Sequence, residues 1–164
     1  SYDLMVRGVQ EDKWQVLDHK MDTPFYTLQS SQLPDGHYHF KVLATDAPSN
    51  PAGKEKSDTR ESAAILIDNS PPTLSDIKLT FDDDHAYIAF DVDDKVGPLM
   101  EALYALDAQE FRPLAPLDGV LDGPAEKFNS DLGVLKPGFH RLTVRVTDEG
   151  GNTGFGFLRF EAED

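Results

Sequence analysis

Two acid-rich stretches carry the clearest chemistry in this chain: Asp91-Val92-Asp93-Asp94 and Asp148-Glu149-Gly150-Gly151-Asn152. Carboxylate and amide oxygens are hard donors. About six to eight of them around one ion is what Ca2+ takes, and glycines let backbone carbonyls join. Asp93, Asp94, Asp148, Glu149 and Asn152 are therefore the candidate Ca2+ ligands. No sequential ligand loop of the EF-hand kind is present, so a plainer role also fits: a solvated acidic rim in which Asp148 and Asn152 bond their own turn. The same pair recurs as Asp46 and Asn50 without the surrounding acids, and this favours the turn role.

Other chemistry is thinner. His37 and His39 share one face of a strand, but no third metal ligand lies near them in sequence. Serines stand in no strand-to-helix elbow, and the glycine-rich stretch after Asp148 carries acid where a phosphate would bind. No catalytic residues are assigned, and the chain is read as a non-enzyme. Flat rings are the remaining signal, because sugars and proteins both dock on them. Trp14, Phe25, Tyr26, Tyr87 and Phe155 are the candidates; Tyr87 falls on an outward register and, with Trp14, is the expected surface contact. For Trp14 and Phe111 the competing role is packing, since large aromatics dominate small β cores.

Composition bounds these readings. The chain has 164 residues and a net charge of −15, from 15 basic and 30 acidic side chains. A surface so negative repels nucleic acid and anionic lipid, whose binding needs phosphates neutralised by Lys and Arg. The longest apolar run, Ala63 to Ile67, is strand-sized, well short of the roughly 18 residues of a membrane-spanning helix. With no cysteine, disulfides and thiolate chemistry are excluded, and the compartment stays open. The charge is uneven: residues 1–70 hold 7 basic and 11 acidic side chains, residues 71–164 hold 8 and 19.

Alternation of two runs almost throughout. In His140 to Thr147 the apolar residues 142, 144 and 146 share a face, and similar patterns occupy 38–42, 77–81 and 86–92. Turn signals such as Pro34-Asp35-Gly36 and Lys136-Pro137-Gly138 separate them. The pattern predicts an all-β fold with strands over 73–81, 86–92, 102–107, 110–115, 126–133, 139–147 and 155–161. An internal repeat sets the domain count. Leu33, Gly36, Val42, Thr45, Asp46 and Asn50 recur as Leu135, Gly138, Val144, Thr147, Asp148 and Asn152, at a constant offset of 102. Two domains are expected, 1–69 and 70–164, joined at Asp68-Asn69-Ser70-Pro71-Pro72, where the prolines keep the junction extended.

The motif Leu-x-x-Gly-x-Tyr before an alternating strand that ends in Asp-x-x-x-Asn resembles strand F of fibronectin type III and related immunoglobulin-like β-sandwich domains of secreted bacterial proteins. Tyr38 stands where the tyrosine corner of that fold falls, with His140 in its place in the second copy. Stretches 44–51 and 108–119 are similar to modules that follow β-propeller repeats. The resemblance implies two tandem sandwiches in an extracellular or periplasmic protein, acting as a spacer or protein-interaction region. The alternatives are a carbohydrate- or peptide-binding module and an accessory domain of a hydrolase. Aligned so, residues 1–69 lack strands A and B. The face carrying Tyr38, Phe40 and Val42 should then be covered by an upstream domain of the same polypeptide, a rearranged strand, another chain, or a dimer through strand pairing.

Overall fold

The structure is a computed structural model and describes residues 1–163. It is all-β: the described residues form twelve strands and two short 3-10 turns, and no helix is long and apolar enough to cross a membrane. The chain divides into two compact units, Ser1–Asp68 and Asn69–Asp164.

The first unit holds a single antiparallel sheet, made of β1 (Tyr2–Gly8), β2 (Gln15–Met21), β3 (Gly36–Thr45), β4 (Ser57–Glu61) and β5 (Ile65–Ile67). The order is β2-β1-β3-β4, with β5 continuing along the same edge of β3. Cross-strand partners share a face, so Leu4 opposite Val42 and Val6 opposite Phe40 place Leu4, Val6, Tyr38, Phe40 and Val42 together. Leu4 and Val6 are buried, whereas Phe40 is half-buried and Val42 exposed. Met21, Pro24, Phe25, Tyr26 and Leu28 line an open groove along this face. The structure departs here from the sequence-based expectation, in which only strands A and B were lacking. Among the described residues, 22–35 form no strand either; they carry only the 3-10 turn Ser30–Gln32.

The second unit explains why. Its strands are β6 (Thr73–Asp82), β7 (His85–Asp93), β8 (Leu99–Leu106), β9 (Arg112–Pro113), β10 (Ala125–Val134), β11 (Gly138–Asp148) and β12 (Thr153–Ala162). They make two antiparallel sheets, β10-β7-β6 and β12-β11-β8-β9. Order β9-β8-β11-β12 repeats β2-β1-β3-β4 of the first unit. The stretch 22–35 stands in sequence where β10 stands, and β10 pairs only with β7. Without a β7 equivalent, 22–35 has no counterpart of the strand on which β10 forms.

The core of the second unit lies between its sheets. Ile88, Phe90 and Val92 of β7 and Phe128 of β10 meet Leu99 and Ala102 of β8 and Leu142, Val144 and Val146 of β11. Burial along β7 alternates residue by residue, as a strand packed on one face requires.

A corner above the core repeats between the units. The Tyr38 hydroxyl donates to the Pro34 carbonyl at 2.8 Å, and His140 Nε2 stands 2.7 Å from the Lys136 carbonyl, four residues back in each case. Histidine at this position brings a second bond, Nδ1 to Asp107 Oδ2 at 2.7 Å. Both ring nitrogens donate only in the imidazolium. The Lys136 carbonyl and then the Asp107 carboxylate accordingly hold His140 above its usual range. The Arg141 backbone N–H, with His140 behind it, holds Asp107 below its own. Stabilisation from His140 is complete below its unfolded value, about 6.5, and fades as pH rises through the raised folded value. Stabilisation from Asp107 is present above about 3.9 and is lost as pH falls through the lowered folded value. The pair thus helps the second unit most between about pH 4 and 6.5. Substituting His140→Tyr, the residue of the first unit's corner, should preserve the corner bond and flatten the decline in melting temperature between about pH 5.5 and 8. An undiminished decline in that variant would contradict the assignment.

Candidate metal centre

At one end of the second unit the alternation of two strands delivers acids where core residues would otherwise follow. Ile88, Phe90 and Val92 set the inward register of β7, and Asp94 continues it; Leu142, Val144 and Val146 set that of β11, and Asp148 continues it. Asp94 and Asp148 are only 5% and 2% exposed. Asp93 and Glu149, one residue out of register, are exposed.

Each buried acid is fixed by its own turn. Asp94 Oδ1 accepts the backbone N–H groups of Val96 at 2.8 Å and Gly97 at 2.9 Å. Asp148 Oδ1 accepts the Asn152 N–H at 2.8 Å, and Oδ2 accepts the Asn152 side-chain amide at 3.0 Å. The Glu149 N–H donates to the Pro98 carbonyl at 2.9 Å, tying the two loops together. Pro72 is buried, and its carbonyl packs against Gly154, so the chain is seated on β12 as it enters the second unit. One carboxylate oxygen of Asp94 lies within 4.8 Å of one of Asp148.

The five expected ligands thus separate. Asp94 and Asp148 come together, Asn152 holds Asp148 in place, and the side chains of Asp93 and Glu149 take no part. The turn role of Asp148 and Asn152 is also present, but it does not account for burial. Asp46, the counterpart of Asp148, is exposed; its carboxylate accepts the Lys56 N–H at 2.6 Å, and its backbone carbonyl accepts the Asn50 side-chain amide at 3.4 Å.

No family model, no curated protein and no solved structure matches this chain. What the site can do therefore rests on its own chemistry. Among the described residues, no ion pair includes Asp94 or Asp148. Asp94 Oδ2 is buried without a hydrogen-bond partner. Two buried carboxylates with no counter-charge each carry a desolvation cost of several kcal/mol, and their mutual repulsion adds to it. A divalent cation bound by hard oxygens removes both penalties.

Of the aromatic candidates, Phe25 and Tyr26 lie exposed in the strandless segment 22–35. Trp14 is half-buried, with Arg7 at 4.9 Å and Lys41 at 4.1 Å over its ring. Tyr87 is also half-buried; it stacks on His85, and the carboxylates of Asp131, then Asp82 and Asp83, together with partial desolvation, push its hydroxyl pKa up. Phe155 and Phe157 are parallel neighbours 6.1 Å apart on the outer face of β12, 52% and 71% exposed. Beside them Arg145 lies over Phe111, 4.5 Å from its ring centre. Phe157 was missed in the sequence, although it sits two residues from Phe155 and so on the same face. His39 Nδ1 is satisfied by the Ser62 carbonyl at 3.0 Å, an ordinary strand contact.

Proposed function

We propose that this chain is a non-catalytic structural region of a larger secreted bacterial protein, built of fibronectin type III-like modules that space neighbouring domains or present them to a protein partner. The observation that carries this reading is that one sheet is built twice from a repeated sequence, β2-β1-β3-β4 and β9-β8-β11-β12. Two sheets of order β10-β7-β6 and β9-β8-β11-β12, with a hydrogen-bonded corner before the central strand, support the fibronectin type III assignment. Modules of this kind work by position, so their surfaces need fit only the domains beside them.

One observation favours a second reading, a carbohydrate- or peptide-binding module: the exposed pair Phe155 and Phe157 beside Arg145. Titration of the purified chain against a panel of oligosaccharides and a mixed peptide library distinguishes the two. Under the spacer reading no saturable binding appears at ligand concentrations up to about 1 mM. Saturable binding that disappears in Phe157→Ala would overturn that reading in favour of the binding module.

A further inference from the structure

We infer that the end of the second unit where Asp94 and Asp148 meet is a Ca2+ site, with these two carboxylates as its ligands. The inference stands apart from the spacer reading, since it follows from burial and charge alone.

Three features point to an ion rather than to a solvated acidic rim. First, both acids sit on the core-facing register of their strands, where natural sequences place uncompensated charge only at high cost. Second, Asp94 Oδ2 is withdrawn from solvent and takes no hydrogen bond, while Oδ1 is already occupied by the Val96 and Gly97 N–H groups. An oxygen left in this state is a donor waiting for an acceptor of its lone pair. Third, the spacing suits the ion: oxygens held about 2.4 Å from one Ca2+ stand at most about 4.8 Å apart, and the carboxylate oxygens lie within that span. Mg2+ draws its ligands to about 2.1 Å and demands near-octahedral geometry. Its reluctance to shed water makes it the poorer occupant of a buried carboxylate site.

The turns that fix the acids also keep them from collapsing apart or swinging outward. Asn152 bonds both oxygens of Asp148, and each oxygen retains a second lone pair for the ion. Asn152 is thus a positioning residue, and the site is assembled before the ion arrives.

The test uses the full chain, stripped with chelator and then titrated with CaCl2, followed by thermal unfolding and by equilibrium dialysis. Ca2+ should bind at one ion per chain and raise the unfolding midpoint of the second unit by at least about 5 °C at millimolar ion. MgCl2 should raise it less. Asp94→Asn and Asp148→Asn should each abolish the Ca2+ shift, yet melt no lower than wild type in chelator, because each removes a buried charge. Asp93→Asn and Glu149→Gln should leave the shift intact. An unchanged midpoint with no bound Ca2+ at about 2 mM would overturn the inference, as would a shift that survives in both Asp94→Asn and Asp148→Asn. If either of those variants fails to fold, dialysis of the wild type alone decides between one bound ion and none.

Discussion

Gly154→Ala should destabilise the second unit by about 3 kcal/mol, seen as a drop in the urea midpoint of that unit with an unchanged slope. A Cβ on Gly154 would fall on the Pro72 carbonyl oxygen, a backbone atom that cannot rotate away. Relief requires that the segment at Pro72 lift off β12, and this segment begins β6 one residue later at Thr73. Gly156 gives the internal comparison. Its Cβ would meet Cδ1 of Ile77, the far end of a flexible side chain, so Gly156→Ala should cost only about 1–2 kcal/mol. Adding Ile77→Val deletes that same methyl and should recover most of the loss, giving a coupling energy of about 1 kcal/mol. A Gly154→Ala variant that loses less than about 1 kcal/mol would show that β6 and β12 do not approach as closely as described.

Strands packed against a core left a period-two imprint in the sequence. Those over 73–82, 85–93 and 138–148 are legible because burial on one face selects apolar residues at every second position. β4 left none. All five residues of Ser57-Asp58-Thr59-Arg60-Glu61 are exposed, and the strand exists through backbone bonds to β3, which impose no side-chain pattern. β9 is shorter than the expected 110–115, since only Arg112 and Pro113 pair with β8. Pro113 offers no N–H to extend the ladder.

The metal centre was half legible for a similar reason. Carrying the inward register of β7 and β11 one step past their apolar residues selects Asp94 over Asp93 and Asp148 over Glu149, so the same alternation that locates the core also locates the acids. Their burial could not be found this way, because residue types and spacing do not separate a carboxylate that continues a core register from one on a solvated rim. His140 shows the converse: the repeat predicts its corner bond to Lys136, but Asp107 as a second partner appears only once the β8–β9 turn is placed beside β11.

Phe90→Ala is expected to cost the second unit about 3–5 kcal/mol, the largest single loss a side-chain truncation should produce here. Phe90 and Phe128 are directly opposed across β7 and β10, each 2% exposed, with rings 4.5 Å apart and within 5° of parallel. Truncation removes the apolar area of one ring, leaves a cavity bounded by strands that cannot collapse inward, and strips the other ring of its stacking partner. Phe90→Leu should cost nearer about 1.5 kcal/mol, because most of the volume is retained. Phe157→Ala should change stability by less than about 0.5 kcal/mol, because its ring stands 71% exposed. The ordering of these three variants by chemical unfolding tests the sandwich itself. If Phe157→Ala proved as costly as Phe90→Ala, the outer face of β12 would have to be covered, and the assignment of inner and outer faces in the β12-β11-β8-β9 sheet would be reversed. If the order holds, the ring pair between β7 and β10 is what a lone sheet cannot supply. That is the physical difference between the second unit, which closes a core around Phe90 and Phe128, and the first, whose half-buried Phe40 lines an open groove.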